Sequence, residues 1–145
     1  MVIGIPKEVK TDEYRVGATP LNVSILTGNA HSVVIQSGAG EGSGFSDEEY
    51  IEAGASVVLS AKELYESASL IVKVKEPQPS EYAFLNEKHT LFCYLHLAPL
   101  KELTAVLFEK KACAVAYETV AVDHELPLLK PMSEIAEKMT HSIGA

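Results

Sequence analysis

The sequence predicts a doubly wound α/β domain, a mainly parallel sheet with helices on both faces, and three observations carry that prediction. Short β-type runs recur at 2–5, 32–36, 56–59, 70–74, 90–95 and 112–117. A helical segment separates each run from the next, the alternation that builds parallel sheets. Two of the runs stop at polar residues that a core would not choose: Lys75 and Glu76 after the fourth, Tyr94 and His96 at the end of the fifth. In an open α/β sheet the chemistry sits just beyond the carboxyl ends of the strands.

Bulk properties narrow the function classes. A chain of 145 residues with 47% hydrophobic and 22% charged residues is sized and balanced for one folded domain. A formal charge of -8 argues against a nucleic acid or an anionic membrane as partner, since either requires a basic face. Cys93 and Cys113 both lie in apolar runs with no second metal ligand at useful spacing, and are expected to be reduced core thiols. The opening VIGIPKE lacks the plan of a signal peptide, and no apolar run approaches the ~18 residues of a membrane helix. The expectation is a cytoplasmic protein.

Each element has its own local warrant. The first run closes at Pro6 and leads into a polar loop, KEVKTDEYRV, which carries Arg15. Thr19 as N-cap and Pro20 at the first position start a helix, with Leu21 and Ile25 on its apolar face and Gly28-Asn29 at its end. After the second run comes GAGEGSG at 38–44. It lies between a strand and a helix, as a nucleotide-binding turn would. However, the dinucleotide fingerprint requires glycine where Ser43 stands, and Glu41 would face a pyrophosphate with negative charge. It is read as a mobile surface loop. Ser46 with Glu49 forms a capping box for a helix over 47–53. Ser60 and Glu63 begin another over 60–67, and a weak helix follows at 81–86. Pro99 opens an amphipathic helix with Leu100, Leu103, Val106 and Leu107 on one face. After a loop over 123–131, Ser133 is the expected cap of a last helix with Ile135, Ala136, Met139 and Ile143 as its apolar stripe. That stripe suggests self-association, and the chain reads as a segment of a longer architecture.

Several of these residues could carry chemistry. Lys75 is either a solvated strand end paired with Glu76 or a cation facing a crevice, where low dielectric would strengthen its hold on a carbonyl or oxyanion. His96 is either a core histidine or a group suited to proton transfer near neutrality. Tyr94, two residues earlier, would share its face in a strand. Arg15 would suit a carboxylate clamp if the first strand is central in the sheet. His31, His89, His124 and His141 read as structural or solvated, and no zinc motif, nucleophile elbow or P-loop is present. The residues alone thus outline a crevice for a small anionic oxo or amino acid.

The stretches GIPKEVKTDEYRVGATP, SGAGEGSGFSDEEY, VKVKEP, YLHLA, YET and LPLLKPMSEIAEKM, in this order, resemble the amino-terminal part of the alanine dehydrogenase and pyridine nucleotide transhydrogenase family. The resemblance implies a Rossmann/flavodoxin-like substrate domain over 1–130, with 131–145 beginning the helix toward a separate NAD-binding domain. It implies reversible, NAD-dependent oxidative deamination of L-alanine to pyruvate and ammonia in a homo-oligomer. Carried over residue by residue, it makes Arg15 and Lys75 ligands of the substrate carboxylate and carbonyl, His96 the acid/base and Tyr94 a pocket residue. Met132 and Ser133 would approach the nicotinamide. The dinucleotide fingerprint and the family's catalytic Asp are missing, so the chain by itself is expected to be catalytically incomplete. The rival readings are the NAD-binding component of proton-translocating transhydrogenase, expected to lack the YLH turn, and a non-enzymatic binding or assembly module.

Overall fold

Six parallel strands set the architecture of the structure, a computed structural model that describes residues 1–135. The strands are β1 (Val2–Ile5), β2 (Ser32–Gln36), β3 (Ser56–Val58), β4 (Leu70–Val72), β5 (Thr90–Cys93) and β6 (Cys113–Ala116). They pair in the order β3-β2-β1-β4-β5-β6. The helices are α1 (Pro20–Gly28), α2 (Asp47–Glu52), α3 (Ala61–Ser67) and α4 (Lys101–Lys110). Short 3-10 turns cover Glu41–Ser43, Pro79–Phe84 and Tyr117–Thr119. Every sheet pairing is parallel, as the alternation of runs and helices requires. Chain order reverses direction across the sheet between β1 and β4, and ligands bind at such a switch point.

Strand alternation assigns the two faces. Ile3 and Ile5 point into a cluster with Val23, Val33, Ile35 and Tyr50, under α1 and α2. Ile71 and Leu91 point the other way, into a cluster with Leu64, Tyr65, Leu103 and Leu107, under α3 and α4. Thr19 and Ser46 cap their helices as the sequence indicated, each within a capping box. Among the described residues no helix is long and apolar enough to cross a membrane.

Several expectations are corrected. Leu21 and Ile25 are 71% and 56% exposed, because α1 packs through Val23 and, in part, Leu26. The weak helix is a 3-10 turn over Pro79–Phe84, opened by Pro79. The fourth and fifth strands stop at Val72 and Cys93, earlier than predicted. One further ladder bond forms on each, Lys73 N–H to the Phe92 carbonyl and Tyr94 N–H to the Val74 carbonyl. Beyond them, carboxylates take the backbone: Glu8 accepts from Val74, and Glu118 from Leu95 and His96. The glycine run is a surface loop only in part: residues 38–40 are buried, whereas 41–44 are exposed. Cys93 is buried, but Cys113 is exposed because β6 is the sheet edge. Ser133 is not a cap. The helical turn over 130–135 starts earlier, with Leu126 accepting from Leu129 and Lys130, and the Ser133 hydroxyl donates back to the Leu129 carbonyl at 3.4 Å. Of the apolar stripe only Ile135 is seen, 52% exposed; Ala136, Met139, His141 and Ile143 lie outside the described residues.

His89 shows how a buried titratable group is accommodated. It is 1% exposed, with Nδ1 accepting from Asn86 N–H at 3.1 Å and Nε2 meeting the Tyr65 carbonyl at 2.8 Å. That pattern requires the neutral tautomer with its proton on Nε2. Burial holds its pKa below the usual imidazole value, outweighing the Tyr65 bond. The unfolded chain therefore binds a proton more readily, and this contribution to stability is lost as pH falls from about 6.5 toward the folded value. Denaturant titrations at pH 7 and 5 should show a smaller acid loss in His89→Gln than in wild type. Equal losses in both would sink the assignment.

Candidate functional site

The loop after β1 and the turn after β4 meet at the switch point, and Glu8 joins them. Its Oε1 accepts from Val74 N–H at 2.7 Å and from Lys75 N–H at 3.4 Å, which fixes the backbone that carries Lys75. Its other oxygen lies 3.3 Å from the ammonium of Lys73, a lysine with no exposed surface. Glu81 holds that ammonium from the other side at 2.8 Å and accepts the Tyr65 hydroxyl at 3.0 Å. Burial raises the Glu8 pKa despite the attraction of Lys73. Two carboxylates thus flank one buried cation directly beneath the strand ends.

The outer layer holds the predicted residues. Glu76 does not pair with Lys75; it pairs with Lys10 and accepts from Gln78. Lys75 forms no ion pair among the described residues. Arg15 binds Glu13, and hydrogen bonds from the Arg15 side chain hold the Glu13 carboxyl below its usual range, with a further contribution from the charge of Lys75. Arg15 thus holds the Glu13 carboxylate directly, while Lys75 lies beyond ion-pair distance and acts on it only through its charge. Tyr94 stands next in line: burial raises its pKa against the opposing charge of Arg15. Its hydroxyl donates to the Leu128 carbonyl at 2.5 Å, and its ring meets Tyr117 edge-on at 5.0 Å.

His96 departs from the expected geometry. The strand has ended, and its φ of 45° breaks the alternation that would put it on the face of Tyr94. The cause is Glu118, which collects the N–H groups of Leu95 and His96 at 3.1 and 2.8 Å. Burial works to raise the Glu118 pKa, but these backbone bonds together hold it below the usual range, helped by the charge of His96. The His96 side chain is exposed at the rim. Met132 reaches the cluster through Sδ, 3.4 Å from Arg15 Nη1, whereas Ser133 is exposed and bonded only within its own turn.

The cavities are open rather than enclosed. One of about 260 Å³ is lined by Arg15 together with Lys7, Glu8, Glu13 and Gly42, and does not include Lys75, Tyr94 or His96. A larger apolar groove of about 430 Å³ runs over Val72 and Phe92 to Tyr117 and Leu128.

The glycine run has a structural use. A Cβ on Gly40 would lie 2.6 Å from the Tyr50 ring, and one on Gly42 would lie 2.6 Å from the Tyr14 carbonyl oxygen. Ser43 donates to that same carbonyl at 3.1 Å. The run packs against the segment that carries Arg15, and Glu41 pairs with Lys7. It leaves no cradle for a pyrophosphate, so these residues do not fit a dinucleotide.

Reading the sequence missed Glu8, Glu13, Lys73, Glu81 and Glu118. One signal was available: in VKVK, Lys73 and Lys75 share a face by strand alternation, so Lys73 pointed toward the same crevice. Another was composition, since Arg15 is the chain's only arginine.

Comparison with known proteins extends this geometry. A family model described as "Alanine dehydrogenase/PNT, N-terminal domain" matches residues 4–136. Alanine dehydrogenase from Methanococcus maripaludis is 50% identical over all of this chain and 39% of its own length. The Bacillus subtilis alanine dehydrogenase is 48% identical over all of this chain and 38% of its own. A solved L-alanine dehydrogenase superposes with a TM-score of 0.94 at 48% identity, covering 100% of this chain and 40% of that one. A transhydrogenase from Sinorhizobium meliloti gives 0.76 at 27% identity, over 81% of this chain and 34% of its own. The chain spans about two-fifths of the length of the alanine dehydrogenases it matches. With residues 4–136 matched by the family model, the chain belongs to the alanine dehydrogenase/PNT family, whose N-terminal domain it represents.

Proposed function

We propose that this chain binds the small carboxylate substrate of an L-alanine dehydrogenase, which interconverts L-alanine with pyruvate and ammonia using NAD as hydride carrier. The observation that supports this reading is the placement of Arg15, gripped by Glu13 in the loop after β1, and of Lys75, on backbone fixed by Glu8 after β4, beyond the carboxyl ends of the two strands where the sheet order reverses. Residues 1–130 then serve as the substrate domain, and 131–145 lead toward a cofactor domain.

In this reading Arg15 clamps the substrate carboxylate with its planar fork. Lys75, without an ion-pair partner among the described residues, holds and polarises the neighbouring carbonyl oxygen. His96 gives a proton to that oxygen as ammonia adds, and recovers it in the reverse direction. Tyr94 walls the pocket as a neutral phenol. Met132 and Ser133 belong to the nicotinamide side. NAD supplies hydride transfer when bound, and every step assigned to this chain concerns the substrate and its protons.

Calorimetric titration of the chain with pyruvate tests the reading. Binding by wild type is expected, with at least a tenfold loss in both Arg15→Ala and Lys75→Ala, about 1.4 kcal/mol or more each. Unchanged affinity in both variants would overturn it.

A further inference from the structure

Glu13 is one of the carboxylates of the cluster that reading the sequence left without a role. It engages a single edge of the Arg15 guanidinium: Oε1 accepts from Nε at 2.8 Å and Oε2 from Nη2 at 2.6 Å. Oε1 also accepts the backbone N–H of Arg15 at 3.0 Å. The Glu13 side chain is only 7% exposed, against 41% for Arg15, so the carboxylate grips the arginine from the protein side. A guanidinium has five N–H donors in one plane. This grip leaves Nη1 and the outer hydrogen of Nη2, the end-on pair whose spacing matches a carboxylate. The contact recorded at Nη1 is the Met132 thioether at 3.4 Å, a weak acceptor that a carboxylate would displace.

We propose that Glu13 is the positioning residue of the carboxylate site, holding the inner edge of Arg15 so that its outer edge receives a small monocarboxylate. The inference rests on the reading of Arg15 as the carboxylate ligand. Geometry separates this role from that of a competitor for the fork. A competitor would take the exposed end-on edge, whereas Glu13 takes the edge nearer the backbone and is itself buried.

The test uses NMR, because a lone arginine gives a single assignable Nε–H resonance. Its hydrogen exchange and the pyruvate affinity are measured for wild type, Glu13→Gln and Glu13→Ala, with thermal unfolding as the check on folding. Exchange should quicken about tenfold or more in Glu13→Ala, and pyruvate should bind about tenfold more weakly, equivalent to about 1.4 kcal/mol. Glu13→Gln, isosteric and able to keep one acceptor, should fall between and serves if the alanine variant does not fold. Tighter pyruvate binding by either variant would show a competitor and overturn the proposal, as would unchanged Nε–H exchange. If wild type binds no pyruvate, the function reading fails, and Nε–H exchange alone decides whether Glu13 holds Arg15.

Discussion

Glu81→Ala should lower the unfolding free energy by about 3 kcal/mol or more, the usual consequence of removing one partner from a buried ion pair. Glu81 is 2% exposed and serves three groups at once: the Lys73 ammonium, the Tyr65 hydroxyl and the backbone N–H of Gln78. Alanine would leave Lys73 with only the 3.3 Å contact to Glu8, and would leave the buried Tyr65 hydroxyl without an acceptor. For a domain of this size the midpoint of thermal unfolding should fall by roughly 10 °C. Glu81→Gln removes the charge but keeps an acceptor, so it should cost less. A Glu81→Ala protein within about 1 kcal/mol of wild type would mean that Lys73 finds water or another partner, against its complete burial.

Gly42→Ala should damage stability and the site together. Its Cβ would stand 2.6 Å from the Tyr14 carbonyl oxygen and 3.1 Å from the Tyr14 Cα, both backbone atoms that cannot swing aside. Overpacking of this kind costs about 1–3 kcal/mol. The strain falls on the residue before Arg15, so pyruvate affinity should decline and Arg15 Nε–H exchange should quicken in the same variant. Gly28→Ala is the matched control, since a Cβ there meets nothing within 4 Å at the end of α1. Denaturant unfolding and pyruvate calorimetry on the pair decide the matter. If Gly42→Ala leaves both unchanged, the glycine run does not brace the Arg15 segment.

These two sites show where local reading reached its limit. The expected surface loop at 38–44 failed the nucleotide fingerprint correctly, but its glycines serve close backbone approach to a segment far away in sequence. Lys73 sat unremarked inside an apolar run because a buried lysine is rare unless paired. Its partners, Glu8 and Glu81, come from the loop after β1 and the 3-10 turn over Pro79–Phe84. The face of α1 was misjudged for the same reason: Leu21 and Ile25 have helical spacing, yet α1 rests on Val23 and Leu26.

Strand and helix alternation, caps and turn residues are local properties, so the sequence by itself determined the parallel α/β class and the capping of α1 and α2. It also placed Lys75, Tyr94 and His96 at strand ends and Arg15 in the loop after the first strand, and through its motifs it indicated the family. Only the tertiary structure decided that β1 and β4 are the central pair, that Glu8 and Glu118 end the ladders early, and that His96 leaves the face of Tyr94. The same holds for Glu13, whose neighbour in sequence is known but whose burial and choice of edge are not. The physical reason is common to all of these: a carboxylate's partner is fixed by which loops the sheet order brings together, and sheet order is a long-range property that no window of sequence contains.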